Sequence, residues 1–416
     1  MIAFHYPPYQ GSSGVLRTWN FSRYLPEHGW SPLIVTAATS AYGPLEDRPG
    51  GLQVPPNLSV WRAPAFDTAR QLAIRGRYLR WMALPDRWIS WYPAAVLRSL
   101  QIVRTQRPCL IWSTYPIATA HLVALTVHKL TGLPWVADFR DSMTEEAYPA
   151  NPTERKLYQA IERRTVERAC AVVFTTEGTR RMYTSRYGKS PSERFHVIPN
   201  GYGEDSFQRA EDLSRAAPRA ADGPALRLVH SGVLYPSERD PQPFLAALAM
   251  LKTAGQIGAA SLQIVLRASG HEPLIRSLID AAGVADIVKL AGPIPYEQAL
   301  VEMLTADGLL LFQAANCNHQ IPAKLYEYLR AGRPILALTD ERGDTAGVLR
   351  SSGIDTVADL ASAQDIKAKL PPFLAAVRAG SAPIAPRNVA ARFARESQAG
   401  DLASLFLDAS GGPSRP

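Results

Sequence analysis

At 416 residues the chain exceeds what one ordinary core supports, so two domains of roughly 200 residues are expected. It is 46% hydrophobic and 20% charged and holds no uninterrupted apolar run of ~18 residues, which argues against a disordered or membrane-spanning chain. The formal net charge of +8 favours anionic partners (nucleotide phosphates, nucleic acid or an acidic membrane surface) without choosing among them.

The start, Met1-Ile-Ala-Phe-His-Tyr-Pro-Pro, lacks the basic and apolar regions of a secretory signal and reads as a strand; a cytoplasmic protein is the expectation. Further strand-like runs follow at Leu33–Ala37, Leu110–Ser113, Trp135–Phe139, Ala171–Thr175 and His196–Ile198. Helix-like stretches lie between several of them, at Val15–His28, Ala94–Thr105 and Ala118–Thr131. Residues 208–224, polar and rich in Ala and Pro, read as a linker. The alternation restarts at Leu226–His230, Gln263–Leu266, Ile287–Leu290, Leu309–Phe312 and Ile335–Leu338, interleaved with helix-like segments at Pro241–Ala254, Glu272–Ala282, Tyr296–Thr305 and Pro322–Ala331. Such alternation predicts parallel sheets covered by helices on both faces. The division expected is an N-terminal domain at 1–207, a linker at 208–224, a C-terminal domain at 225–386, a terminal helix within 387–409 that crosses back to the first domain, and a disordered tail at 410–416. The three cysteines, Cys109, Cys170 and Cys317, show no CxxC spacing, which points to a reducing compartment and no zinc site. Cys109 and Cys170 open apolar runs and read as small core residues.

In open parallel sheets, ligands sit at the carboxyl ends of strands. Three segments fall there. Gly11-Ser-Ser-Gly14, ahead of a helix carrying Arg17, lets a backbone approach a phosphate, although a turn and helix cap explain it equally well. Pro322-Ala-Lys-Leu-Tyr-Glu-Tyr-Leu-Arg-Ala-Gly-Arg-Pro334 reads as a helix whose first-turn Lys324 opposes the helix dipole, so that a bound anion would compensate it. Its Glu327 can accept hydrogen bonds from two ribose hydroxyls. His230-Ser231-Gly232, followed by Arg239-Asp-Pro241, combines a strand end with a forked donor suited to a diphosphate.

The ordered set Pro7-Pro8…Gly11-Ser-Ser-Gly14…Arg17, Leu84-Pro-Asp…Trp88, Ser113-Thr-Tyr-Pro…His121, Leu133-Pro-Trp-Val-Ala-Asp-Phe-Arg-Asp141, Ile198-Pro-Asn-Gly201, Ser231-Gly232…Arg239 and Pro322-Ala-Lys…Glu327…Gly332-Arg-Pro334 resembles the family 4 retaining glycosyltransferases, particularly their bacterial surface-polysaccharide branch. The resemblance implies an α/β GT-B fold: two Rossmann-like, doubly wound domains facing a central cleft. It implies sugar transfer from a nucleotide-diphosphate sugar (UDP- or GDP-linked) to a glycan or lipid-linked acceptor, with no cofactor and no metal. Glu327 matches the second glutamate of the family's Glu-x7-Glu motif, the ribose ligand. Arg239 falls at a basic diphosphate-binding position, with Lys324 beside it, and both are expected to stabilise the leaving group. Gly14 and Gly232 belong to loops facing the donor. His121 resembles a histidine near the reacting sugar. Arg17, Asp138, Arg140 and Asp141 are assigned to the acceptor side. The sequence departs from the pattern at His319, which stands where the first glutamate is usual.

Residues 74–92 hold four arginines, three tryptophans and two tyrosines, a mixture suited to the face of an anionic membrane; inward-packed aromatics are the alternative. No nucleic-acid-binding motif accompanies them. A nucleotide-sugar epimerase of the same fold and a catalytically degenerate sugar-nucleotide binder are the competing readings. A dinucleotide dehydrogenase is disfavoured because no GxGxxG follows a strand, and a solute-binding protein because an export signal is missing.

Overall fold

The computed structural model describes residues 1–9, 13–43, 52–146, 148–188, 192–216 and 225–411. The chain divides into two compact units, Met1–Pro199 with Arg395–Pro416, and Asn200–Ala394.

Unit 1 is built on parallel strands β1 (Leu33–Ala37), β2 (Ser59–Ala63), β3 (Ile111–Thr114), β4 (Trp135–Arg140), β5 (Ala171–Phe174) and β6 (Phe195–Val197). The expected first strand is reduced to bridges at Ile2, to Val35 on one side and Ser113 on the other. The lateral order is therefore β2, β1, the N-terminal segment, β3, β4, β5, β6. Every residue of β4 is buried, as a central strand with both faces covered requires. Helices Ser13–Tyr24, Trp91–Gln106, Ala118–Thr131, Pro152–Arg168 and Glu177–Arg186 supply the covering layers. Helix Pro152–Arg168 starts where it does because the Asn151 side chain accepts from the backbone N–H groups of Thr153 and Glu154.

The terminal helix Arg395–Ala409 belongs to this unit. Its Ala399, Leu402, Ala403, Leu405 and Phe406 pack with Phe21, Leu25, Trp112 and Val136. Gly400 lets it close on the His28 ring, because a β-carbon there would lie 3.1 Å from His28 Cε1.

Unit 2 holds β7 (Leu226–Ser231), β8 (Leu262–Arg267), β9 (Val288–Ala291), β10 (Gly308–Phe312), β11 (Ile335–Leu338) and β12 (Val357–Ala358) in the order β12-β11-β10-β7-β8-β9, all parallel. Counted from β7, this is the doubly wound order, which reverses between β7 and β10. Apolar clusters fill both faces of the sheet. Together the units realise the α/β, doubly Rossmann-like fold class expected.

Four expectations change. The second unit starts at Asn200, and residues Gln208–Ala216 of the expected linker lie in helix Glu204–Ala216. Its acidic first turn suits the helix dipole, and its Phe207 and Ala210 are buried; the rest of that linker, 217–224, lies outside the described residues. Within 387–409, a short helix Arg387–Ala391 precedes Arg395–Ala409 and belongs to unit 2. Ser410 and Gly411 of the expected tail form a turn closed onto Phe406 and Asp408, and 412–416 lie outside the described residues. Finally, Cys109 is exposed and Cys170 half-buried, because both precede their strands and sit in turns.

Candidate functional site

Each sheet reverses its strand order once, so each unit has one crevice at the carboxyl ends of its central strands. In unit 1 the reversal lies between the N-terminal segment and β3. A small cavity there is lined by His5, Gly14, Thr18, Thr114, Tyr115 and Arg140, among others. Gly11 and Ser12 lie outside the described residues.

The acceptor-side residues divide sharply. Arg17 is 1% exposed and fully committed. It donates to both carboxylate oxygens of Asp138 at 2.8 and 3.3 Å, and to the carbonyls of Ile198 and Pro199 at 3.0 and 2.9 Å. The pair ties the first helix to β4 and to the end of unit 1. This corrects the reading of Arg17 and Asp138 as acceptor ligands: their hydrogen-bonding capacity is spent inside the fold. Asp141 is exposed to solvent. Arg140 is different, buried at the cavity with a single side-chain hydrogen bond among the described residues, from Nη1 to the Tyr115 carbonyl at 3.3 Å.

His121 is also corrected. It is fully buried beside Trp135 and Phe139, and its Nδ1 pairs with Ser113 Oγ at 2.8 Å. Burial holds its pKa down at about 3, so the ring is neutral at pH 7. The ring packs in the core of unit 1. Sequence reasoning missed the role of Asp86, whose carboxylate accepts from both the N–H and the hydroxyl of Thr119 at 2.8 Å. It caps helix Ala118–Thr131, which gives the Leu84-Pro-Asp motif a structural reason.

In unit 2 the reversal lies between β7 and β10, and Gly232, Arg239, His319, Lys324 and Glu327 lie on segments of that unit, whereas Gly14 lies in unit 1. Gly232 follows β7 directly with φ 137, and a β-carbon on it would lie 3.9 Å from Lys324 Cε. Helix Lys324–Ala331 is stopped by Gly332 in the left-handed conformation, φ 63. Pro322 precedes this helix, rather than forming its first turn. Glu327 is buried and receives two hydrogen bonds, from Lys324 Nζ to Oε2 and from the Tyr296 hydroxyl to Oε1, both at 2.9 Å. The Glu327 carboxylate thus compensates Lys324 against the helix dipole from within, where the sequence suggested a bound anion. Tyr328 fixes the helix to the strand end by accepting from the Ser231 N–H at 3.0 Å. Arg239 donates to the Val233 carbonyl at 2.9 Å and lies over the Tyr235 ring. Beneath this group His230 is buried. Desolvation, with the nearby charges of Arg239 and Lys324, lowers its pKa to about 4. His319 stands in the segment after β10, where its ring meets the Gln320 amide at 3.5 Å. Gly232, Lys324 and Glu327 are therefore brought together, and the charges of Arg239 and Lys324 both act on His230. Tyr296, whose partnership with Glu327 spans 31 residues, left no signal in the sequence.

Residues 14–201 match the family described as glycosyl transferase 4-like domain. The N-terminal unit is therefore similar to a GT4-like glycosyltransferase domain. The fold of the chain is that of solved GT-B enzymes. Sucrose-phosphate synthase from Thermosynechococcus elongatus superposes with TM-score 0.64 at 15% identity, over 95% of this chain and 93% of that one. HepE from Anabaena, in complex with UDP-glucose, gives 0.63 at 14%, over 98% and 99%. WaaG, a glycosyltransferase of lipopolysaccharide biosynthesis, gives 0.62 at 14%, over 97% and 99%. No curated relative matches in sequence. The matched residues fall in unit 1, while Glu327, Lys324 and Arg239 lie in unit 2.

Among the described residues no helix is long and apolar enough to cross a membrane. The segment 74–92 is split. Trp91 is core, and Trp88 packs half-buried on Phe4, which corrects the reading of those two rings as surface groups. Ile74, Leu79 and Trp81 are 80%, 62% and 68% exposed, and Arg75, Arg77 and Arg80 are exposed among them.

Proposed function

We propose that the protein is a GT4-like glycosyltransferase that moves a sugar, with retention, from a nucleotide-diphosphate donor to a glycan or lipid-linked acceptor at an anionic membrane face, in surface polysaccharide synthesis. The observation that carries the reading is the buried Glu327 at the strand-order reversal of unit 2, paired with Lys324. A carboxylate holding two donors at 2.9 Å retains lone pairs for both ribose hydroxyls. That HepE was solved with UDP-glucose supports a uridine donor.

In the proposed reaction a bond forms between the acceptor oxygen and the anomeric carbon as the bond to the diphosphate oxygen breaks. The leaving diphosphate takes the electron pair, and one of its oxygens takes the acceptor's proton. Arg239 and Lys324 stabilise that growing charge, so the reading needs no metal and no protein base. The exposed aliphatic and aromatic side chains of 74–81, set among arginines, support seating at an anionic bilayer.

The test is release of nucleoside diphosphate from UDP-, GDP-, ADP- and TDP-sugars, measured with and without acceptor and with a chelator present. Acceptor-dependent release that survives chelation is expected. Arg239→Ala and Lys324→Ala should each lower turnover by roughly 10²–10³. Turnover within a few-fold of wild type in the double variant defeats the charge-stabilisation account.

A further inference from the structure

Arg140 has an unusual position for an arginine. The β4–β5 register shifts between Asp138 and Arg140, and Arg140 takes the left-handed conformation, φ 61. A register shift of this kind re-aims a side chain, and non-glycine residues in that region concentrate at functional sites. The guanidinium is only 6% exposed. It makes one long hydrogen bond, its Nε has no partner, and it forms no salt bridge among the described residues. The charges of Asp141 and Asp138 favour its cation through space, but among the described residues neither carboxylate pairs with it. Asp138 is held by Arg17, and Asp141 faces solvent. His5, which lines the same cavity, is held neutral by burial and by the charges of Arg87 and Arg140, with a pKa near 4. A buried, unpaired guanidinium is costly unless an anion completes it. Gly14, in the first turn of helix Ser13–Tyr24, and the Thr18 and Thr114 side chains border the cavity.

We infer that Arg140 is the anion-recognising residue of unit 1: with Gly14, Thr18 and Thr114 it receives a phosphate or carboxylate at that unit's own strand-order reversal. This rests on the reading of the chain as a sugar transferase and narrows its substrate. The anion belongs either to the acceptor or to the donor diphosphate.

The experiment is calorimetric titration of inorganic phosphate and of UDP into the full-length wild type, Arg140→Asn and Glu327→Ala. Asparagine tolerates the left-handed region, so Arg140→Asn should keep or raise Tm. Its phosphate affinity should fall about tenfold or more. If Arg140→Asn spares UDP, the site serves the acceptor; if UDP weakens in parallel, it serves the donor. Phosphate affinity within about twofold of wild type in a folded Arg140→Asn, or no phosphate binding by the wild type, overturns the inference. Should the asparagine variant not fold, Arg140→Lys, which keeps the charge without the fork, should bind phosphate several-fold more weakly, and equality with wild type overturns the inference. UDP binding indifferent to Glu327→Ala would defeat the nucleotide reading while leaving the Arg140 result intact.

Discussion

Arg17 and Asp138 show how far a single residue type can mislead. Arg17 lies within the first helix and Asp138 within β4, and only the family resemblance assigned them to the acceptor side. Their partnership spans 121 residues, and nothing local in the sequence announces it. Removing one member of a buried pair leaves the other charge unpaired, which costs about 3–5 kcal/mol. Arg17→Leu is therefore expected to lower unfolding free energy by that amount in a denaturant titration; an unchanged midpoint would show that the pair is dispensable. His121 was misread for a related reason. The sequence marks a histidine after a strand, but only packing shows its ring enclosed by Trp135 and Phe139. Glu327 and Lys324 were legible because three residues on one helix determine their own proximity.

At the scale of elements, apolar alternation located most strands within a residue or two. It overlooked β2, an edge strand with one buried residue, and the two-residue β12. It took Gln208–Ala216, all but the first turn of helix Glu204–Ala216, for linker, because a mostly charged and alanine-rich surface helix resembles a solvated tether until its Phe207 is seen buried. The Asp86 cap belongs to this scale. Asp86→Ala should cost about 1–2 kcal/mol by uncapping helix Ala118–Thr131, measured by thermal unfolding; a stable variant would mean that the cap contributes nothing. So does the turn Ile74–Arg77, closed by reciprocal backbone hydrogen bonds at 2.8 and 3.0 Å, which presents Ile74 beside an arginine-rich strip. The protein is expected to float with anionic liposomes at low salt, and Trp81→Ala or Arg77→Ala to weaken this. Absence of salt-sensitive binding would refute membrane seating.

For the whole molecule, pH is the informative variable. His121 and His230 are buried neutral, with pKa values near 3 and 4 in the fold against the ordinary 6.5. Depressed values mean that the unfolded chain binds these protons first. Stability is therefore complete above pH ~6.5 and lost as pH falls toward 4, by about 1.4 kcal/mol per pH unit for each histidine. Thermal midpoints should decline steadily below pH 6, and His230→Leu should flatten the decline; a flat profile in the wild type would contradict the burial account. The central claim is that unit 2 grips a sugar nucleotide through Glu327. Calorimetric titration of UDP into wild type and Glu327→Gln tests it most directly. Wild-type binding weakened about tenfold to a hundredfold by the amide is the result expected from losing charge-assisted hydrogen bonds. Equal affinity in the two proteins, or no binding of UDP, GDP, ADP or TDP by the wild type, would contradict it.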